Sequence, residues 1–301
     1  MFELFSHTLV LLSSNTAFYL LTVGIVSLCI GSFLNVVIYR LPKQMQLGWQ
    51  QECRVFLADE LKTTAPIKPN SASRFNLAFP NSHCPSCKST LKWWHNIPLV
   101  SWLLLKGRCA FCSAVISIRY PLIEVSTALL SVMVAFLFGP TEQALLYIVV
   151  VWALMALTFI DIDHMLLPDQ ITLPLVWLAL LAAVFGITIA PSEAIVGAAV
   201  GYLSLWSVYW LFKLLTGKEG MGYGDFKLMA VFGALLGWEF ILQIVLLSSV
   251  VGAVIGGAQL AIQGKNSATP IPFGPYIAAA GFISMLFGDE INAWYYGLLT
   301  P

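Results

Sequence analysis

Gly222-Tyr223-Gly224-Asp225 sets a carboxylate behind two glycines, at the head of the apolar run Phe226-Lys227-Leu228-Met229-Ala230. Two glycines around one aromatic give the backbone conformations closed to other residues, so the acid can be aimed where a regular helix would not put it. Asp161 stands upstream at the end of another apolar run. An aspartate at membrane depth is expensive and marks a working site by default. Two carboxylates sharing one site cannot both ionise cheaply, so such a pair holds one proton near neutral pH. The ionised member then activates water, and the protonated one polarises a carbonyl or protonates a leaving amine. That is the chemistry of peptide hydrolysis. The sequence contains no G-x-S-x-G serine motif, no H-E-x-x-H and no phosphate-binding glycine loop.

A second group of reactive side chains is the cysteines. Four of the six form Cys84-Pro85-Ser86-Cys87 and Cys109-Ala110-Phe111-Cys112. Two C-x-x-C knuckles at this separation close a tetrahedral four-thiolate site, for which zinc is the usual occupant. Four sulfurs leave no open position, so the metal would be structural. Cys29 and Cys53 receive no role.

The elements that must position these groups are membrane helices. Of 301 residues, 59% are hydrophobic and 10% charged, which excludes an ordinary soluble domain. Apolar runs of near-spanning length predict an all-α polytopic membrane protein of about eight transmembrane helices. The first span is expected from about Ala17 to Tyr39, with Arg40 and Lys43 snorkelling at its end and Pro42 stopping the helix. Residues 1–7 lack the basic region of a cleavable signal peptide, so this span is expected to stay as an anchor. Between Arg40 and Arg119 lie most of the 15 Lys and Arg, against Glu52, Asp59 and Glu60. The positive-inside rule therefore puts that segment in the cytoplasm. It lacks sustained periodicity before the cysteines and is too small for a large core. A small zinc-ribbon-like domain between the first two spans is expected. The division is then residues 1–40, a cytoplasmic four-cysteine domain at 41–119, and a seven-helix membrane domain at 120–301. No internal repeat and no low-complexity tract is visible.

Other polar residues have structural readings beside functional ones. Asn35 suits an interhelical hydrogen bond. Glu124, in the first turn of the second span, suits the helix dipole or takes a share in the active site. Asp169 follows a proline and reads as a cap or turn residue, Asp163 and His164 as an interfacial loop. Asp225 and Glu239 are separated by roughly 20 Å of helix at 1.5 Å per residue, less than the bilayer core, so Asp225 should lie below the surface. Pro270-Ile271-Pro272-Phe273-Gly274-Pro275 implies non-helical backbone beside a cavity. The small-residue run from Val250 to Ala258 predicts close helix packing. Three rival functions stay open on residues alone: a proton-coupled transporter, a magnesium-dependent hydrolase or transferase using Asp161, Asp163, Asp169 and Asp225, and a zinc-bound scaffold.

Taken in order, these motifs resemble the bacterial type IV prepilin peptidases, membrane aspartic proteases of the GxGD type. The resemblance covers nearly the whole chain. It rests on Gly31-Ser32-Phe33-Leu34-Asn35 with Arg40-Leu41-Pro42, on the four cysteines, and on Ile118-Arg119-Tyr120-Pro121 with Glu124. It rests further on Asp161 to Asp169, Gly222 to Lys227, and Pro272-Phe273-Gly274-Pro275-Tyr276. It implies that Asp161 and Asp225 are the catalytic pair, supported by Gly222, Gly224, Glu124, Pro272 and Gly274. It implies prepilin and pseudopilin substrates, cut on the cytoplasmic side of the bacterial inner membrane, with lipids but no nucleic acid as further partners. It also implies methylation of the new amino terminus from S-adenosylmethionine, an activity tied to the four-cysteine region, in which Gly107 precedes the third cysteine. No donor site and no oligomeric state is read from the sequence.

Overall fold

The computed structural model describes residues 15–60, 75–263 and 271–299. Residues 1–7 and Pro270, on which expectations were placed above, lie outside these. Among the described residues the secondary structure is helical, with two isolated antiparallel bridges and no sheet. They fall into two compact units: Leu21–Leu130, and Ser131 onward together with residues 15–20.

Among the described residues five helices are long and apolar enough to cross a membrane: α1 (Thr16–Glu60), α3 (Arg119–Phe138), α4 (Glu142–His164), α6 (Pro191–Thr216) and α8 (Glu239–Gln263). A short α2 (Val100–Leu104) precedes α3. The remaining helices are α5 (Asp169–Val184), α7 (Tyr223–Leu236) and α9 (Gly274–Leu299). The protein is thus an all-helical, multi-pass membrane protein. Against the expectation of about eight spans, the described residues hold eight helices of 14 residues or more, five of them long and apolar enough to cross a membrane; α5 (16) and α7 (14) fall short of bilayer length.

In the first unit the prediction at Pro42 fails. Helix α1 runs through Pro42 and continues to Glu60, into residues expected to be irregular. An interior proline removes one hydrogen bond and costs about 3 kcal/mol, so something must hold the helix beyond it. Arg40 and Gln44 flank the proline and grip the chain at 75–80. Arg40 donates to the carbonyls of Asn76 and Leu77 (both 3.1 Å) and Pro80 (2.6 Å), and Gln44 donates to Phe75 (3.1 Å). Arg40 is therefore buried instead of snorkelling, its charge answered by three carbonyl dipoles. Lys43 lies over the Tyr39 ring, 3.6 Å from its centroid. Asn35 fulfils the interhelical reading: its amide donates to Gly31 O (3.2 Å) and to Tyr120 O at the start of α3 (3.3 Å).

The second unit is built around α7. Phe226, Leu228, Met229, Val231, Phe232 and Ala234 are all inaccessible to solvent, so the helix is enclosed on every side. It touches α5, α6, α8 and α9. A helix so enclosed needs no bilayer length, because protein and not lipid surrounds it. Backbones meet directly at the α6–α7 crossing: a Cβ on Gly197 would lie 2.0 Å from Gly233 O, and one on Gly201 2.6 Å from Met229 O. The small residues of α8 likewise admit neighbours, Gly252 facing Tyr276 and Gly256 facing Ile271. Gly237 (φ +97°) ends α7, and helix α9 kinks at Phe287.

Candidate active site

Helix α4 carries on to His164, so Asp163 and His164 are helical and not the loop expected, and Asp161 sits in its last turn and is 5% exposed. The turn is closed by Met165 in the left-handed region (φ 54°), whose N–H donates to Asp161 O at 2.9 Å. The following loop, through Leu167 and Pro168, leads into α5. Asp161 Oδ2 accepts the backbone N–H of Gly274 at 3.0 Å, where α9 begins. A Cβ on Gly274 would stand 2.7 Å from that same oxygen, so a side chain here would push the carboxylate aside.

Asp225 occupies the first turn of α7 and is 6% exposed. Its N–H donates to Gly222 O (3.2 Å), and its Oδ2 accepts the N–H of Gly222 (3.1 Å). The reciprocal pair fixes the turn and aims the carboxylate. Gly224 serves a different purpose: a Cβ there would lie 2.6 Å from Leu167 Cβ. Leu167 also meets Gly274, at 3.1 Å from a Cβ built there. One leucine is thus wedged between the starts of α7 and α9, beside both acids. Asp161 and Asp225 are close enough for the charge of one to act on the other.

Around this centre, Asp169 in the first turn of α5 forms an ion pair with Lys227 of α7 at 2.6 Å. Tyr202 and Tyr209 of α6 pack on Phe226, with ring centroids 5.7 Å away in each case. Pro272 lies in the non-helical stretch 271–273 leading to Gly274, as the prolines predicted. Asp163 is exposed and His164 half-buried at the end of α4. Leu167 and Lys227 were missed by sequence reasoning. A loop leucine carries no pattern, and Lys227 became meaningful only once Asp169 was opposite it.

Glu124 belongs to the other unit. It is buried, and its Oε2 accepts the N–H of Leu99 at 2.7 Å. Leu99 has φ 56°, an uncommon conformation for a residue with a side chain, so the carboxylate holds a strained corner at the start of α2. Gly31 on α1 lets α3 approach here, a Cβ being 2.8 Å from Glu124 Cα.

The four cysteine sulfurs all lie within 4.8 Å of one another, with Cys84 and Cys112 at 3.8 Å. The Cys84–Cys112 separation is that of two sulfurs on a tetrahedral ion at about 2.3 Å each. The two knuckles repeat the same local structure. Cys84 N donates to Ser89 O and Cys109 N to Ala114 O; Lys88 and Ser113 each turn left-handed (φ 62° and 58°). Each is closed by one bridge, His83 with Thr90 and Arg108 with Val115. Within the cluster, hydrogen bonding with Ser89 brings the Cys87 thiol down to about 6, while at Cys112 a hydrogen bond from the Ala114 backbone is outweighed by burial and the three neighbouring cysteines, which push that thiol up to about 11. Among the described residues these cysteines are the one cluster of three or more His, Cys, Asp or Glu placed to hold a metal; Asp161, Asp163, Asp169 and Asp225 do not converge as a ligand set. Gly107 is buried at φ +68°, and a Cβ on it would sit 3.0 Å from the Trp102 ring.

Fold and site together define a multi-pass membrane protein with two buried carboxylates held at helix ends and a separate four-thiol centre. Residues 25–138 match the model of the bacterial peptidase A24 N-terminal domain, and residues 148–257 that of the type IV leader peptidase family. A prepilin leader peptidase/N-methyltransferase of Stutzerimonas stutzeri is 52% identical over 94% of this chain and 96% of its own length. Proteins of the same name from Pseudomonas aeruginosa (51%, over 95% and 96%) and Legionella pneumophila (44%, over 93% and 95%) align equally far. The chain belongs to the type IV leader peptidase family. No solved structure matches it significantly.

Proposed function

We propose that this chain is a bifunctional membrane enzyme that removes the basic leader of type IV prepilins and pseudopilins and methylates the exposed amino terminus. The observation that carries the first activity is the pair Asp161 and Asp225, both buried, each fixed by a backbone amide and adjacent to the same leucine. In this reading the ionised aspartate takes a proton from water, and the water oxygen attacks the scissile carbonyl carbon. The other aspartate, protonated, donates to the carbonyl oxygen. As the C–N bond breaks, the leaving nitrogen receives a proton from the pair. Gly224 and Gly274 admit Leu167 and the Asp161 carboxylate where a side chain would intrude, and Gly222 holds Asp225 through its backbone N–H. Pro272 holds the approach to Gly274 out of helical geometry.

Cys84, Cys87, Cys109 and Cys112 would hold zinc, which four thiolates saturate, so its part is to tie the 84–112 segment together. S-adenosylmethionine would supply an electrophilic methyl group; the amine lone pair takes it as the C–S electrons return to sulfur, and the amine proton passes to water. We place the enzyme in the bacterial inner membrane with the acids toward the cytoplasm. The division into residues 1–40, 41–119 and 120–301 is retained as the functional plan.

The test is cleavage of a purified prepilin in detergent by wild type, Asp161→Asn and Asp225→Asn, with and without EDTA. Each substitution is expected to lower the rate by at least ~10²-fold, the usual worth of a general acid or base. EDTA is expected to leave cleavage in place. Active, folded Asn variants would make the pair structural, and loss with EDTA would move the hydrolysis to a metal.

A further inference from the structure

Helix α5 is too short for an ordinary bilayer, and it is not enclosed. Its 16 residues, Asp169–Val184, rise roughly 24 Å against a hydrocarbon core of roughly 30 Å. One side packs inward through Leu175, Ala179 and Ala183, while Leu173, Trp177, Leu181 and Val184 form an exposed apolar stripe at helical spacing. The stripe ends toward the acids, where Gln170 and Asp169 are both exposed. We propose that this stripe is a lipid-contacting surface over which the acid-side leaflet is drawn in by about 10 Å, so that the bilayer is thin beside Asp161 and Asp225. The proposal rests on the multi-pass architecture and not on the peptidase reading.

The far ends of the helices share one level. Ile189, in the connection from α5 to α6, lies 3.7 Å from a Cβ built on Gly237, between α7 and α8. Gly288 on α9 meets the ring of Phe240 in the first turn of α8. Exposed acids mark this level: Glu193 on α6, Glu239 on α8, and Asp289 and Glu290 on α9. The acid ends are level as well, because the Gly274 N–H reaches Asp161 and Lys227 reaches Asp169. Gly274 to Gly288 is 14 positions, roughly 21 Å, and α7 has 14 residues. The acids thus stand roughly 21–24 Å from the far polar level along α5, α7 and α9 alike.

Helix α6 shows that the shortfall lies on the side of the acids. Phe226, next to Asp225, packs on Tyr202 and Tyr209, so the acids stand level with that part of α6. Beyond Tyr209 the helix continues to Thr216, roughly 10 Å further, with Leu211, Leu214 and Leu215 all at least 60% exposed. Apolar side chains so open belong in hydrocarbon. A leaflet whose surface followed α6 across to α5 would put Asp169 and Gln170 about 10 Å inside the hydrocarbon, where charge is costly. Helices α5 and α6 touch, so the surface must descend from one to the other within about a helix diameter. Lipid accommodates such a mismatch at a small cost for each ångström. A segment that spans an ordinary bilayer would leave the lipid here about two turns early, at the level of the acids.

The experiment uses the purified full-length protein in phosphatidylcholine vesicles, with three quenchers: bromine along the acyl chains, a nitroxide on the headgroup, and aqueous iodide. The emission lost on Trp177→Phe isolates Trp177, and acyl bromine is expected to quench it at least twofold. Unquenched Trp177 would mean that protein, such as a second copy of this chain, covers the stripe, and would overturn the proposal. In the Trp177→Phe background, Gln170→Trp and Leu215→Trp compare the levels of the two helices; both positions are exposed, so neither substitution disturbs packing. The headgroup nitroxide is expected to quench the two within twofold of each other, although they stand about 10 Å apart in level. If acyl bromine quenches Gln170→Trp and the headgroup does not, the leaflet follows α6 without descending. If iodide alone quenches it, a water-filled hollow stands in place of lipid. Either result overturns the drawn-in leaflet, whether or not the protein cleaves prepilin.

Discussion

A single methyl group at residue 274 would collide with the Asp161 carboxylate, since a Cβ there lies 2.7 Å from Oδ2. Gly274→Ala is therefore expected to displace the acid by a fraction of an ångström and cut kcat by about 10²-fold, with KM little changed. Steady-state cleavage assays and a melting curve close to wild type would establish it; an unaltered kcat would mean the amide contact is dispensable. Lys227→Met tests the opposite case. Its ion pair with Asp169 joins two partly exposed side chains, and pairs of that kind contribute about 0–1 kcal/mol. A shift of Tm of a few degrees at most is expected, and a collapse would show the pair to be more than a surface contact. At this scale the two acids were legible because a carboxylate in an apolar run has few cheap explanations. Leu167 was not, because its importance lies in two glycines that approach it from distant parts of the chain.

Helices were read well where apolar length decided them and badly where a contact decided them. Pro42 is the clearest instance. Local chemistry says stop, yet Arg40 and Gln44 tie the chain on either side of the proline to carbonyls some 30 to 40 residues on. Periodicity cannot register a bond of that reach. The end of α7 was likewise invisible to a length argument that ran from Asp225 to Glu239, because Gly237 turns the chain between them. The crossing of α6 on α7 yields a prediction proper to elements. Gly233→Ala puts a methyl group 2.0 Å from Gly197 O, so the two helices must part. Overpacking of this kind costs about 1–3 kcal/mol. A lowered melting temperature in detergent is expected, with cleavage falling alongside it; a variant as stable as wild type would show that the crossing relaxes freely.

At the scale of the molecule, the cysteine unit and the carboxylate unit are built by different means. One is an enclosed helical bundle. The other places two thiol knuckles and a set of buried charges, Arg40 and Glu124, on backbone that has little apolar core of its own. Cys84→Ser is accordingly expected to lose the metal, open residues 75–118 to limited proteolysis and abolish methylation, while prepilin cleavage persists within a few-fold. Equal loss of both activities would show that the units depend on one another. The cysteine spacing made the four-thiol cluster legible. The roles of Arg40 and Glu124 were not, since a charge that binds backbone carbonyls or amides leaves no partner residue to find.

Asp161 in the last turn of α4, Asp225 in the first turn of α7 and Gly274 at the head of α9 all stand where helices begin or end. A scissile bond inside a substrate helix would have to give up its backbone hydrogen bonds before two acids could flank it. The first four amides of any helix have no such bonds to lose. The bond just ahead of an apolar stem is consequently the least costly to deliver, and the cut can be located by the substrate's own unwinding cost as much as by the side chains that surround it.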